Sequence, residues 1–371
     1  MSNYTLYGTP FSMYTGKAKS YLNFKKLPFN EVFSSAKVFK EEIKPNTGTH
    51  FIPVLKTPEG KYIQDSSDII EYLEIEHPEN PIYPTTPKQR LVSLLLELYA
   101  DEWLLLPAMH YRWNFKQNIP FIYREFGRIV APKMPAFVRG FLGKKVAARF
   151  KSYVPKLGIT GNTIPAIEKW FEEEFLTAFD RHLSQYQFIL GDAPCIADFA
   201  FFGPIGAHLS RDPHPAQLIK KLAPNVAEWV ERMKKPNDVQ GEFFADDAIP
   251  ETLEPILKDL FDNQWPVLEE TSNLLSKWYS RETNNIHIGQ PTPVPRSLGN
   301  HNFQFSEVEE SRAVMPFSQW MMQKPLDFYN SLWADEQRVL EPFLKKVNGL
   351  YAMRFHINTP INRVNNRFVI E

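Results

Sequence analysis

Every strand-like stretch before residue 240 lies within the first 64 residues, and this uneven placement limits the possible folds more than any other feature of the chain. Tyr4-Thr5-Leu6-Tyr7 alternates and is β-prone, and Gly8-Thr9-Pro10 ends it. Residues 17–25 read as a helix, with Ala18, Tyr21 and Leu22 at helical spacing. Glu31-Val32-Phe33 is a second short strand. Phe51-Ile52-Pro53-Val54-Leu55 and Lys61-Tyr62-Ile63 flank the turn signal Thr57-Pro58-Glu59-Gly60 and read as a hairpin. Residues 66–74 read as a helix with Ile69, Ile70 and Leu73 on one face. This β-α-β-(α)-β-β-α order predicts one small α/β domain at 1–80.

His77-Pro78-Glu79-Asn80-Pro81 up to Pro84 is a proline-rich connector. Beyond it, Thr86 can cap a helix, Pro87 suits its first turn, and Gln89 stands where a capping box wants it. The apolar face runs through Leu91, Leu94, Leu95 and Leu98 to Leu105 and Leu106, and Pro107 is expected to kink or end the helix. Further helices are expected at 164–183, 196–209, 215–222 and 226–233, which makes 86–236 all-helical. The remainder, 237–371, reads as a mostly helical extension. Its helices fall at 252–278, 316–332 and 334–347, a hairpin at 303–312, and a tail rich in Arg and Asn follows.

A chain of 371 residues suggests two or three domains. A net charge of −1 argues against a dedicated nucleic-acid binder, whose field would be strongly basic. The single cysteine, Cys195, allows no intrachain disulfide and fits a reducing compartment. No basic-then-apolar leader opens the sequence, and no apolar run approaches the ~20 residues of a transmembrane segment. The expected location is cytoplasmic.

Three short constellations carry potential chemistry. In Gly8-Thr9-Pro10-Phe11-Ser12, a hydroxyl sits where a strand turns into a helix, whose free N–H groups and dipole can stabilise a thiolate. In Phe51-Ile52-Pro53-Val54-Leu55, a proline among strand residues implies an edge strand or a cis bond. A cis bond would leave the backbone of Ile52 open to a peptide ligand. In Gln64-Asp65-Ser66-Ser67-Asp68, a helix opens on Ser66; its amides can hold a carboxylate while Asp65 accepts from an ammonium group. Taken singly, Ser12 is equally a simple helix cap, the Asp65–Ser66 pair reads better as an N-cap, and Pro53 reads better as an ordinary edge-strand proline.

Together, in this order, the three resemble the cytosolic glutathione S-transferases, and the likeness covers residues 4–235. The resemblance implies a thioredoxin-like N-terminal domain and an all-α second domain. It puts the catalytic hydroxyl on Ser12, as in serine-type classes, and the glutathione contacts on Ile52, the cis-proline Pro53, Asp65 and Ser66. Gly191-Asp192-Ala193-Pro194-Cys195-Ile196-Ala197-Asp198 resembles the family's buried helix start, with Cys195 at the cap position. A thiol is a weak acceptor, so only half of that capping box is expected, from Asp198 to the N–H of Cys195. Cys195 is expected to be structural. The extension beyond 236 resembles a bacterial branch of the superfamily. A homodimer is implied by the family alone.

The second substrate of such an enzyme, a small apolar or aromatic electrophile, is expected beside Trp103, His110 and Trp113. Core aromatics with an ion pair such as Asp101–Arg112 are the plainer reading of the same residues. Between Phe126 and Ile167 there are eight Lys or Arg and no acidic residue, interleaved with aromatics. That segment is either a basic amphipathic surface for a membrane or anionic partner, or a solvated face compensated by the acidic C-terminal region. There is no phosphate-binding glycine loop, no His-Glu-x-x-His and no Cys-x-x-Cys, and no metal is expected. Conjugation of the glutathione thiolate to an electrophile is the expected activity. A non-catalytic binding or scaffold protein of the same fold is the alternative. A thiol oxidoreductase ranks last, because Ser12 cannot form a mixed disulfide.

Overall fold

The computed structural model describes residues 3–236, 241–282 and 291–371; the expected start of the extension, at 237, lies outside the described residues. Strand β1 (Tyr4–Gly8) leads through α1 (Met13–Phe24) to β2 (Phe29–Phe33), then through a short helical stretch, α2 (36–47), to β3 (Val54–Lys56), β4 (Tyr62–Gln64) and α3 (Ser66–Glu76). The sheet order is β2-β1-β3-β4, with β1 and β2 parallel and the other pairs antiparallel. Side chains alternate across a strand, and the sequence fills both faces. Leu6, Leu55 and Ile63 join the main core under α1 and α3. Tyr7, Val54 and Tyr62 meet Ile43 and Phe39 of α2 on the other face. This is the thioredoxin-like arrangement.

The helical layer follows as α4 (Pro87–Glu102), α5 (Leu105–Asn114), α6 (Ile119–Val130), α7 (Ala136–Lys151), α8 (164–183), α9 (196–209), α10 (Pro213–Leu222) and α11 (Pro224–Lys234). The first helix ends earlier than expected. The break falls at Trp103–Leu104, and Pro107 sits in the first turn of α5, where its missing N–H has no intrahelical partner to lose. The start of α4 also differs. Thr86 makes no cap; the Asp247 carboxylate accepts from the N–H of Lys88 and of Gln89, both at 2.8 Å, and Gln89 donates its amide to the carbonyls of Phe244 and Ala248.

The extension comprises α12 (254–282), β5 (Thr292–Pro293), β6 (Asn300–Phe305), β7 (Val308–Ala313), α13 (Pro316–Ser331), α14 (Ala334–Lys346), α15 (Leu350–Met353), β8 (Asn362–Val364) and β9 (Arg367–Ile370). The expected hairpin is β6–β7, with Phe303 and Phe305 buried. A second hairpin, β8–β9, was not foreseen in the Arg- and Asn-rich tail. Asn365 and Asn366 both take positive φ, 50° and 61°, and so build a tight two-residue turn. The extension packs into the same hydrophobic core as the helices before it, with α13 lying along α4.

Candidate functional site

Strand register brings the three constellations together. Tyr7 lies opposite Val54, and Val54 lies opposite Gln64. The loop leaving β1, the loop entering β3 and the loop leaving β4 therefore share one end of the sheet. They are also bonded: the N–H of Asp65 donates to the carbonyl of Pro53 at 3.2 Å. The Ile52–Pro53 peptide bond is cis, and β3 begins only at Val54, so Ile52 stands outside the ladder.

Ser12 is the N-cap of α1 and is half-buried. Its Oγ accepts from the N–H of Thr15 at 3.3 Å, and its own N–H donates to the carbonyl of Thr9 at 3.1 Å. The cap consumes a lone pair and leaves the hydroxyl proton able to donate. Asp65 is the N-cap of α3 at φ 96°, a region that L-residues seldom occupy. Its carboxylate accepts from the N–H of Ser67 at 2.9 Å, and Ser66 is buried at the positive end of the helix.

Pairings that the sequence did not indicate hold this end in place. Arg112 donates to the carbonyl of Phe11 at 2.8 Å and makes a two-pronged pair with Asp212 at 2.6 and 2.9 Å, all of it buried. Arg211 donates to the carbonyl of Pro10 at 2.9 Å and pairs with Glu125. The two guanidinium groups thus clamp the turn that carries Ser12. Asp101 does not pair with Arg112, because it belongs to a different cluster. The ammonium of Lys17 lies 2.7 Å from Glu97, 2.6 Å from Asp101 and 3.0 Å from the hydroxyl of Ser67, and the cluster is buried between α1, α3 and α4. Burial pushes Asp101 up to about 7, with the charge of Glu97 adding to it and Lys17 opposing. Burial would raise Glu97 as well, but the charges of Lys17 and Lys324 and the hydrogen bonds from Lys17 and Ser67 together outweigh it and hold that carboxyl at about 2. These partners are 50 to 84 positions away from Lys17, so no local pattern announces them.

The C-terminal extension borders the same end of the sheet. Arg363 on β8 donates to Asp68 at 2.5 Å and to the side-chain oxygen of Gln64. Asn366 donates to the carbonyl of Thr47, and the guanidinium of Arg296 lies 4.7 Å from the ring centroid of Phe51.

The residues expected beside the second substrate are not brought together on an open face. Trp103, His110 and Trp113 are all buried. Trp103 stacks on Phe305 of the extension. His110 sits 2.8 Å from Glu168 and from Asn114, and burial holds its pKa below the usual imidazole range despite Glu168. Trp113 packs on Phe126, which stacks at 4.2 Å on Phe11, the neighbour of Ser12. A cleft of about 360 Å³ opens on the face of α1 opposite Lys17, lined by Thr9, Pro10, Lys19, Glu31, Ala207 and Arg211.

Cys195 is buried, and burial pushes its thiol well up. Asp198 accepts from the N–H of Cys195 at 3.0 Å, of Ile189 at 3.1 Å and from the indole of Trp229 at 3.0 Å. The thiol donates to the Asp198 carboxylate at 3.4 Å, so the bonded half of the box is the expected one, from Asp198 to the N–H of Cys195.

Comparison with known proteins agrees with this architecture. The family model for the glutathione S-transferase N-terminal domain matches residues 6–81, and that for the glutathione S-transferase C-terminal domain matches 164–241. Similar solved structures include a possible glutathione S-transferase from Rhodopseudomonas palustris. It is 17% identical with a TM-score of 0.38, over 67% of this chain and 100% of that one. A glutathione S-transferase from Methylobacterium radiotolerans, in complex with glutathione sulfonate, is 21% identical with a TM-score of 0.40, over 67% and 100%. FzlA from C. crescentus is 16% identical with a TM-score of 0.40, over 70% and 93%. At these values the likenesses carry no residue-by-residue correspondence. No curated protein sequence matches the chain. On its two matched domains, the chain belongs to the glutathione S-transferase superfamily.

Proposed function

We propose that this protein is a glutathione transferase that conjugates the tripeptide's thiolate to a small apolar or aromatic electrophile. The observation that supports this most directly is the shared sheet end, where Ser12 follows β1, Pro53 precedes β3 and Asp65 follows β4. In this reading Ile52 offers its backbone to the cysteinyl part of the tripeptide. The first turn of α3 at Ser66 takes the γ-glutamyl carboxylate, and Asp65 takes the ammonium group. Ser12 donates its hydroxyl proton to the sulfur. A free thiol with a pKa near ~8.5 is only slightly ionised at neutral pH. Lowering it by roughly two units makes the thiolate dominant, for about 2.7 kcal/mol of differential stabilisation. The thiolate then forms the new carbon–sulfur bond, and the electrophile's leaving group departs with the electron pair, or an activated double bond takes up a proton.

Burial of Trp103, His110 and Trp113 favours a second reading, in which the fold binds glutathione without turning over an electrophile. Calorimetric titration with glutathione, followed by turnover assays with activated aryl halides and α,β-unsaturated carbonyls, separates the two. Binding with turnover that falls in Ser12→Ala supports the transferase. Binding with no turnover supports the second reading, and no binding removes both.

A further inference from the structure

We propose that the α6–α7 hairpin is a docking surface for an anionic lipid bilayer. It lies between the two matched family ranges, at 119–151, so the shared domains do not account for it. The two helices are pressed together by glycines. A Cβ on Gly127 would fall 2.2 Å from the carbonyl oxygen of Arg139, and one on Gly143 would fall 2.0 Å from that of Tyr123. The hairpin is therefore a fixed platform, and α7 has an inner face committed to α6.

The outer face of α7 and the turn before it carry apolar side chains with nothing over them. Phe137 is 80% exposed, Phe141 is 69% exposed one turn on, and Met134 is 53% exposed. Large apolar side chains grouped at a tip are what an interfacial segment inserts among acyl chains. Lys133 beside Met134, and Lys144 and Lys145 three and four residues beyond Phe141, are all exposed. Direct pairing of these cations with the acidic C-terminal region is not seen among the described residues. Of the eight Lys and Arg between Phe126 and Ile167, Arg128 pairs with Glu125 on its own helix, and none pairs with the extension among the described residues.

Charge supplies the choice of occupant. The hairpin at 119–151 holds eight Lys or Arg against one Glu, so with a net charge of −1 for the whole chain the remainder carries −8. The hairpin is thus the cationic pole of an otherwise acidic molecule. An anionic surface attracts the hairpin and repels the rest, which orients the tip toward it. Nucleic acid would satisfy the cations but leave the Met134–Phe137–Phe141 ridge in water.

The test uses the full chain in vesicle co-sedimentation. Phosphatidylcholine vesicles with about 30% phosphatidylserine are compared with phosphatidylcholine alone, at about 0.1 M and about 0.5 M salt. The expected result is binding to the anionic vesicles only, weakened by salt. Phe137→Ser/Phe141→Ser and, separately, Lys144→Glu/Lys145→Glu each lower the bound fraction at least ~tenfold, with thermal unfolding unchanged. All four side chains are exposed, so neither pair should disturb folding. Four results overturn the proposal: no binding to anionic vesicles; binding unaltered in both variants; tighter binding to single-stranded RNA than to the vesicles; or self-association that Phe137→Ser/Phe141→Ser abolishes, which would make a second copy the occupant.

Discussion

Ser12 serves two neighbours with one oxygen, accepting from Thr15 and keeping its proton for a ligand. Ser12→Ala removes both. The loss of a cap costs about 1 kcal/mol of stability, whereas losing the donor to a developing thiolate should cut turnover by roughly a hundredfold. Glutathione affinity should stay within about threefold of the parent. Steady-state kinetics beside calorimetry shows which loss occurs, and unaltered turnover would remove Ser12 from the mechanism. Asp65→Ala should instead weaken glutathione binding about tenfold, measured by titration. The neighbouring Glu102 makes a pH prediction. Burial pushes its carboxyl up to about 7, against the hydrogen bond from Ser318. A carboxyl raised in the fold favours folding while it is protonated, so its contribution is present below about pH 4 and fades as pH rises through 7. Glu102→Gln should flatten the decline in unfolding free energy between about pH 5 and 8, read from urea curves. A steeper decline would contradict the assignment. The contributions of Ser12, Pro53 and Asp65 to this end of the sheet were legible because each rests on local chemistry: a hydroxyl before a helix, a proline in a strand, an Asp-Ser pair after one. Arg112 and Asp212 were not, because 100 residues separate them and the sequence offered Asp101 as a nearer partner.

Among the elements, α1 is fixed by its buried lysine. Lys17→Met removes the ammonium bonded to both Glu97 and Asp101 and leaves Lys324 acting on Glu97 through its charge alone; breaking such a cluster costs about 3–5 kcal/mol. The thermal midpoint should fall accordingly, and the loss should shrink at acid pH, where Asp101 can hold a proton. A variant that melts like the parent would mean the ammonium is not holding α1 to α4. Helix and strand positions in the first 80 residues followed from period and turn chemistry, because each of these elements has one buried face. Two misreadings have physical causes. Thr86 looked like a cap, but Asp247 brings a full negative charge to the same two N–H groups and wins. The β8–β9 hairpin was hidden because its strands are only three and four residues long and carry Asn and Arg at exposed positions; the Asn365–Asn366 pair was the signal to read.

At the scale of the molecule, the extension is structural to the two domains it follows. It caps α4 through Asp247, bonds Glu102 through Ser318, pairs Glu71 through Lys324 and reaches Gln64 and Asp68 through Arg363. A chain cut after Lys235 should therefore melt at least ~10 °C below the parent or fail to stay in solution, by calorimetry. An equally stable fragment would show that these contacts are incidental. The contacts of Arg363 also have a temporal meaning. Its partners lie 295 and 299 positions earlier, so the corner at Gln64–Asp68 is translated long before the side chain that braces it. A polypeptide clipped before its last hairpin would therefore lack the donor that braces Gln64 and Asp68.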